Sequence, residues 1–186
     1  MKEKALRRAG LMCLLFLILL PASQTHARPK RDHLTTQEAD LVREAQELDK
    51  RTAVFVKAAE RRLLALTNLA AANGKDAEKW GELKGTRADF LYDLSRILDE
   101  AITNVDDVSS RDERNPLVPK SIRKLAECSS RVLAQLVPMR EQTGEGAERG
   151  SLEQAIENAE AILEAAGKLP PPPPPAKGKK KESDKQ

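Results

Sequence analysis

The sequence predicts an all-α fold: a four-helix bundle of up-down-up-down order, followed by a disordered Pro- and Lys-rich C-terminal tail. Three observations predict it. Leu, Ala, Glu, Lys and Arg dominate, and aromatics make up only 3% of the chain. That composition favours helices and withholds the β-branched and aromatic residues that strands use. Apolar residues recur three and four apart through four separate stretches, which is the period of one helix face. The links between them are short and carry Gly, Asn, Asp or Pro, and short links set successive helices antiparallel.

Ahead of the bundle, residues 1–27 read as an export signal. Lys2, Lys4, Arg7 and Arg8 make a basic start, Ala9 to Leu20 is an apolar run, and Pro21 leads to Thr25-His26-Ala27. This is the order of a secretory leader, with small or neutral residues where the peptidase reads, so cleavage is expected near Ala27. An uncleaved anchor is the competing reading, but the apolar run falls short of the about 20 residues that a bilayer crossing needs. Cys13 lies inside the apolar run after Leu11 and Met12, which does not fit a lipid-attachment site.

Cleavage changes the charge. The whole chain has 32 Lys+Arg against 29 Asp+Glu. The leader removes four basic residues and one acidic one, leaving the signs balanced. A basic arm, residues 28–33, carries Arg28, Lys30 and Arg31, and the tail carries Lys177, Lys179, Lys180 and Lys181. Between them the chain is acidic. The sequence pI of 8.9 therefore belongs to the leader and the ends, and nucleic-acid binding is not expected.

The bundle is expected over residues 34–169. Its first helix starts at a capping box, Thr35 with Glu38. The apolar face is Leu41, Ala45, Leu48, Thr52, Phe55, Ala59, Leu66 and Leu69, with Arg62 interrupting it and a bend expected near Leu48-Asp49-Lys50. Asn73-Gly74 should end it, with Gly74 in the left-handed cap conformation. The second helix should open at Asp76 and present Trp80, Leu83, Phe90, Leu94, Ile97, Ala101 and Val105. Gly81 and Gly85, four apart, imply a loose first turn or a close backbone approach.

An acidic link is expected from Asn104 to Asn115. Its carboxylates lack the alternate spacing, glycine and closing Glu of a calcium loop. The third helix should begin near Pro116 or Pro119. Val118, Ile122, Leu125, Ser129, Val132, Leu136 and Met139 alternate four and three apart, as in a coiled-coil seam, and Pro138 should kink its end. The fourth should be capped at Ser151 with Gln154. It presents Leu152, Ile156, Ala159, Leu163 and Ala166 and stops at Gly167. In residues 170–186, Pro170 to Pro175 should form a polyproline spacer rising about 3.1 Å per residue, and the basic remainder has too little apolar content to fold.

Functional groups are few. His33 is the one histidine left after cleavage, placed in a flexible start, and Cys128 is the one cysteine. Paired Glu-x-x-His, Cys-x-x-Cys-His and a Ser or Cys nucleophile with a His base are all missing from the sequence. No catalytic, cofactor-binding or metal residue is nominated, and no cofactor is expected. Cys128 reads as a small buried hydrophobe, with pairing between chains as the alternative.

The stretches LTTQEADLVREAQELDKRTAVFVKAAERRL, from Leu34, and FLYDLSRILDEAITNVDDVSSRDERNPLVPK, from Phe90, resemble uncharacterised secreted helical proteins of acidobacterial type. The resemblance covers most of the chain between leader and tail. It implies a bacterial envelope setting and brings no activity, cofactor or site residue.

The expectation is an exported, periplasmic or secreted, non-enzymatic scaffold or interaction module of the cell envelope. Its basic ends would contact an anionic envelope polymer or membrane surface, with solubilisation as the plainer role for the tail. Homo-oligomers through helix faces or Cys128 are a further expectation. A carrier of a small apolar ligand or lipid is the alternative. An enzyme using surface carboxylates such as Asp89, Asp93 or Asp99 is the least favoured.

Overall fold

A computed structural model of the protein describes residues 31–171, and the described residues are 76% helical with no strand. The helices are α1 (Thr36–Glu44), α2 (Leu48–Ala65), α3 (Leu69–Ala72), α4 (Ala77–Trp80), α5 (Arg87–Arg111), α6 (Leu117–Leu136) and α7 (Ala147–Gly167). A 3-10 turn, Val137–Gln142, extends α6. None of the described helices is long and apolar enough to cross a membrane. The leader and the residues from Pro172 onward, with their expected proline spacer and basic tag, lie outside the described residues.

Four long helices supply most of the packing. α5 lies on α2 and α7, and α6 lies on the same two, whereas α5 and α6 touch each other little. Cross-links fix the pairings. Along α2 and α6, Lys120 pairs with Asp49, Arg131 with Glu60, and Gln135 Nε2 donates to the Leu63 carbonyl at 2.8 Å. Along α5 and α7, Arg87 pairs with Glu148 at 3.1 Å, and Asn158 Nδ2 donates to the Ser95 carbonyl at 2.9 Å. Between α2 and α5, Arg51 Nη1 donates to Asn104 Oδ1 at 3.1 Å.

The core follows the apolar faces read from the sequence. Leu48, Phe55, Ala59, Leu94, Ile97, Ala101, Val105, Val118, Leu125, Val132, Leu136, Leu152, Ile156 and Ala159 are all buried in one cluster. A second small cluster joins Ala65, Ala72, Leu83 and Phe90.

Several boundaries differ from expectation. The first expected helix is three. Residues 45–47 interrupt it just ahead of the bend expected at 48–50, and α2 stops at Ala65, leaving Leu69 exposed. The left-handed glycines are Gly81, Gly85 and Gly146, not Gly74. The second expected helix also divides. Asp76 starts only one turn, α4, and makes no side-chain cap there. Gly81, at φ +77°, turns the chain out of the helix, and residues 81–86 run non-helically to α5. Asn73 holds that run in place, because its side chain accepts from Leu83 N at 2.7 Å and donates to Leu83 O at 2.9 Å. α5 then starts from a capping box of Thr86 and Asp89.

The acidic link is mostly helix, since α5 continues to Arg111. Val105 packs in the core and Val108 against it, and an Arg111–Asp107 pair four apart supports the last turn. α6 begins after Pro116, as expected of a proline at a helix start. Pro138 brings a change to 3-10 geometry, consistent with the amide it lacks. α7 starts four residues ahead of Ser151, from Gly146, so Ser151 is inside the helix and not its cap.

Candidate functional site

The most concentrated chemistry is a buried charge cluster at the N-terminal end of α1. The Thr35–Glu38 capping box forms: Glu38 N donates to Thr35 Oγ1 at 3.1 Å, and Thr35 N donates to Glu38 Oε2 at 3.0 Å. That leaves Oε1 pointing inward, where it accepts from Arg61 Nη1 and Arg62 Nη1, both at 2.5 Å. The Nη atoms of each guanidinium also serve main-chain carbonyls, whereas neither Nε makes a hydrogen bond. Arg61 donates to Trp80 O at 2.9 Å and Gly81 O at 2.5 Å, and Arg62 donates to His33 O at 2.7 Å. Asp93 Oδ2 lies 3.8 Å from Arg62 Nε. Glu38, Arg61, Arg62 and Asp93 are all buried.

Two carboxylates and two guanidiniums balance to zero. Burying four charges costs several kcal/mol per ion, which pairing and carbonyl hydrogen bonds must offset. The arginines' planar forks suit that task. Glu38 has both oxygens engaged and no solvent exposure, so it is poorly placed to act as a base toward a ligand. The cluster instead ties together segments distant in sequence: the start of α1, the end of α2, the turn at residues 80–81, and α5. Thr35 Oγ1 adds a bond to Trp80 O at 2.6 Å.

His33 is held here as well. Its Nε2 lies 2.6 Å from Glu100 Oε2 on α5, so the flexible start expected for this residue is corrected. The sequence marked Glu38 by its capping box and Arg62 by its place in an apolar register. Arg61 was missed, and its signal was adjacency: two successive arginines at the end of a core-facing helix.

The carboxylates weighed for the least favoured, enzymatic reading do not come together. Asp89 caps α5, Asp93 is buried beside Arg62, and Asp99 pairs with Arg96 at 2.8 Å. Cys128 is fully buried, and burial, reinforced by nearby Glu60, pushes its thiol up to about 11. A bridge between folded copies through Cys128 is therefore closed off. Of the basic contacts, Arg31 is exposed; Arg28, Lys30, Lys177, Lys179, Lys180 and Lys181 lie outside the described residues. Among the described residues, no three His, Cys, Asp or Glu side chains are grouped to hold a metal ion.

A second feature is an apolar groove of about 230 Å³. Ile102 and Val105 of α5, Ile122 and Leu125 of α6, and Ala161, Ile162 and Ala165 of α7 line it, with Asp106 at its rim. It forms where small alanines on α7 face branched side chains. Beside it, Arg123 of α6 donates to the Pro170 carbonyl at 2.6 Å. Among known proteins, no family model, curated protein or solved structure matches the chain.

Proposed function

We propose that the protein is an exported, non-enzymatic helical scaffold or interaction module of the bacterial cell envelope. One observation carries this reading. The buried groups Glu38, Arg61 and Arg62 are used on one another and on the main-chain carbonyls of Ala58, His33, Trp80 and Gly81. Charge placed in that way holds segments together. The export leader, the basic ends and the resemblance to secreted helical proteins of acidobacterial type support the envelope setting.

In this reading the four long helices form an up-down-up-down bundle. The support is the order of the cross-links: partner numbers rise together along α2 and α6, and along α5 and α7, but run opposite between α2 and α5. α5 and α6 would then stand across a diagonal.

The test is to tag the C-terminus in a bacterial host and measure both location and mass. The expected product starts at Arg28, fractionates outside the cytoplasm, and captures envelope material on cross-linking. An intact leader in the cytoplasm, or an exported chain that captures nothing, would overturn the reading. The groove favours a second reading, a carrier of a small apolar ligand. Native mass spectrometry separates the two, since a carrier retains an apolar molecule of defined mass.

A further inference from the structure

We propose that the groove between α5, α6 and α7 is a binding site for a small aliphatic amine, with Asp106 as the partner of its ammonium group. The proposal rests on the carrier reading above and names the chemistry of the ligand. The first argument is the surface itself. Val105, Leu125 and Ile162 are buried and form its floor. Ala161 and Ala165, exposed on α7, are too short to fill the opening. Water against such walls finds few hydrogen-bond partners, so an aliphatic group displaces it favourably.

The second argument is size. A dry apolar cavity of about 150 Å³ holds one benzene. In proportion, the groove's volume of about 230 Å³ takes about nine non-hydrogen atoms. An eight-carbon amine has that size, whereas most of a two-chain lipid would be left in solvent.

The third argument is charge. Among the lining residues Asp106 alone is charged. It follows Ile102 by four residues on α5, so the two share a face. Among the described residues its carboxylate has no ion pair or hydrogen bond. The carboxylates nearby in sequence are committed: Asp99 to Arg96 at 2.8 Å, Asp107 to Arg111 at 2.6 Å, and Glu164 to Lys168 at 2.7 Å. The cations of α6 do not compete, because Lys120, Arg123 and Lys124 line a separate depression. A carboxylate ligand would therefore meet Asp106 with no cation in the lining to offset it. A neutral ligand would leave Asp106 without an ion-pair partner. An ammonium group gains a charge-assisted hydrogen bond to it.

The test is a methyl NMR titration of the Arg28–Gln186 chain with octylammonium, octan-1-ol and octanoate, each kept below micelle formation. Octylammonium should shift the methyls of Ile102, Val105, Ile122, Leu125 and Ile162 and leave Leu83 unmoved. It should bind about fivefold more tightly than octan-1-ol, the gain expected of one solvent-facing ion pair, and octanoate should bind most weakly. Asp106→Asn, at an exposed position, should bring octylammonium and octan-1-ol to equal affinity. Ala165→Leu, which fills the groove from its exposed edge, should abolish both. Equal affinity of the two for the unaltered chain, a preference for octanoate, or an amine preference that survives Asp106→Asn would overturn the proposal and leave the carrier reading standing. No groove shift with any of the three compounds would overturn both. Groove methyls that move with protein concentration alone would place a second copy there and overturn the proposal.

Discussion

Glu38 joins two kinds of stabilisation in one side chain. One oxygen closes the capping box and the other receives both arginines. Glu38→Gln should lower unfolding stability by about 3–5 kcal/mol, because it leaves two buried guanidiniums facing only Asp93 and carbonyls; urea unfolding measures it. Combining it with Arg62→Met should cost less than the sum of the single changes, as expected for groups in one network. Half of this was legible in the sequence. A capping box explains one carboxylate oxygen and says nothing of the other, and an arginine in an apolar register carries no sign of its partner. Cys128 was legible as a buried hydrophobe. Its thiol should react with a soluble thiol reagent only as fast as the chain unfolds. Burial favours the neutral form, so its contribution to stability holds below the ordinary thiol value of 9.0 and is lost as the pH rises toward about 11.

At the scale of elements, the turn at Gly81 decides where α4 ends and α5 can begin. A Cβ there would sit 2.5 Å from Gln37 Oε1 and 2.7 Å from Thr35 Oγ1, on a backbone at φ +77°. Gly81→Ala should therefore destabilise by more than about 1 kcal/mol, while the same change at exposed Gly144, where no atom lies within 4 Å of the added carbon, should cost little. Thermal unfolding of the two variants makes the comparison. The spacing of Gly81 and Gly85 suggested a close backbone crossing or a loose first turn within one helix; instead residues 81–86 are non-helical, and Gly81 lies against the side chains of Thr35 and Gln37. The apolar faces of α5 and α6 were legible because a three-four period survives errors in end points. The ends were less so. Residues 104–111 look like a loop by composition, but Val105 and Val108 pack and keep them helical. Ser151 resembles a cap, yet α7 starts earlier from Gly146.

For the whole molecule, acid should be the most effective solution stress. Asp49 is held below the usual carboxylate range by its hydrogen bond to Lys120, Asp76 by Lys57, Glu153 by Arg140 and Glu164 by Lys168. Lowered folded values mean that each contribution is complete above the ordinary carboxylate range and disappears as the pH falls through the folded value. The unfolding temperature should drop as the pH falls through and below the ordinary carboxylate values of 3.8 and 4.5, and added salt should shrink the advantage of the higher pH because most of these side chains face solvent. The all-helical class was legible from composition and period. Which helices adjoin was not, because the period tells which face is covered but not by what; the sparse contact between sequence neighbours α5 and α6 has no signature in either sequence.

The chain has one tryptophan, and Trp80 lends its carbonyl to both Thr35 and Arg61, with Lys79 Nζ 5.8 Å from its ring. Its fluorescence is thus a native optical probe of the place where the chain's beginning is fastened. Far-UV ellipticity is weighted toward α2, α5, α6 and α7, which hold most of the helical residues. If emission and ellipticity change together on heating, that fastening melts with the long helices; if emission changes first, the N-terminal portion is released as a separate early step.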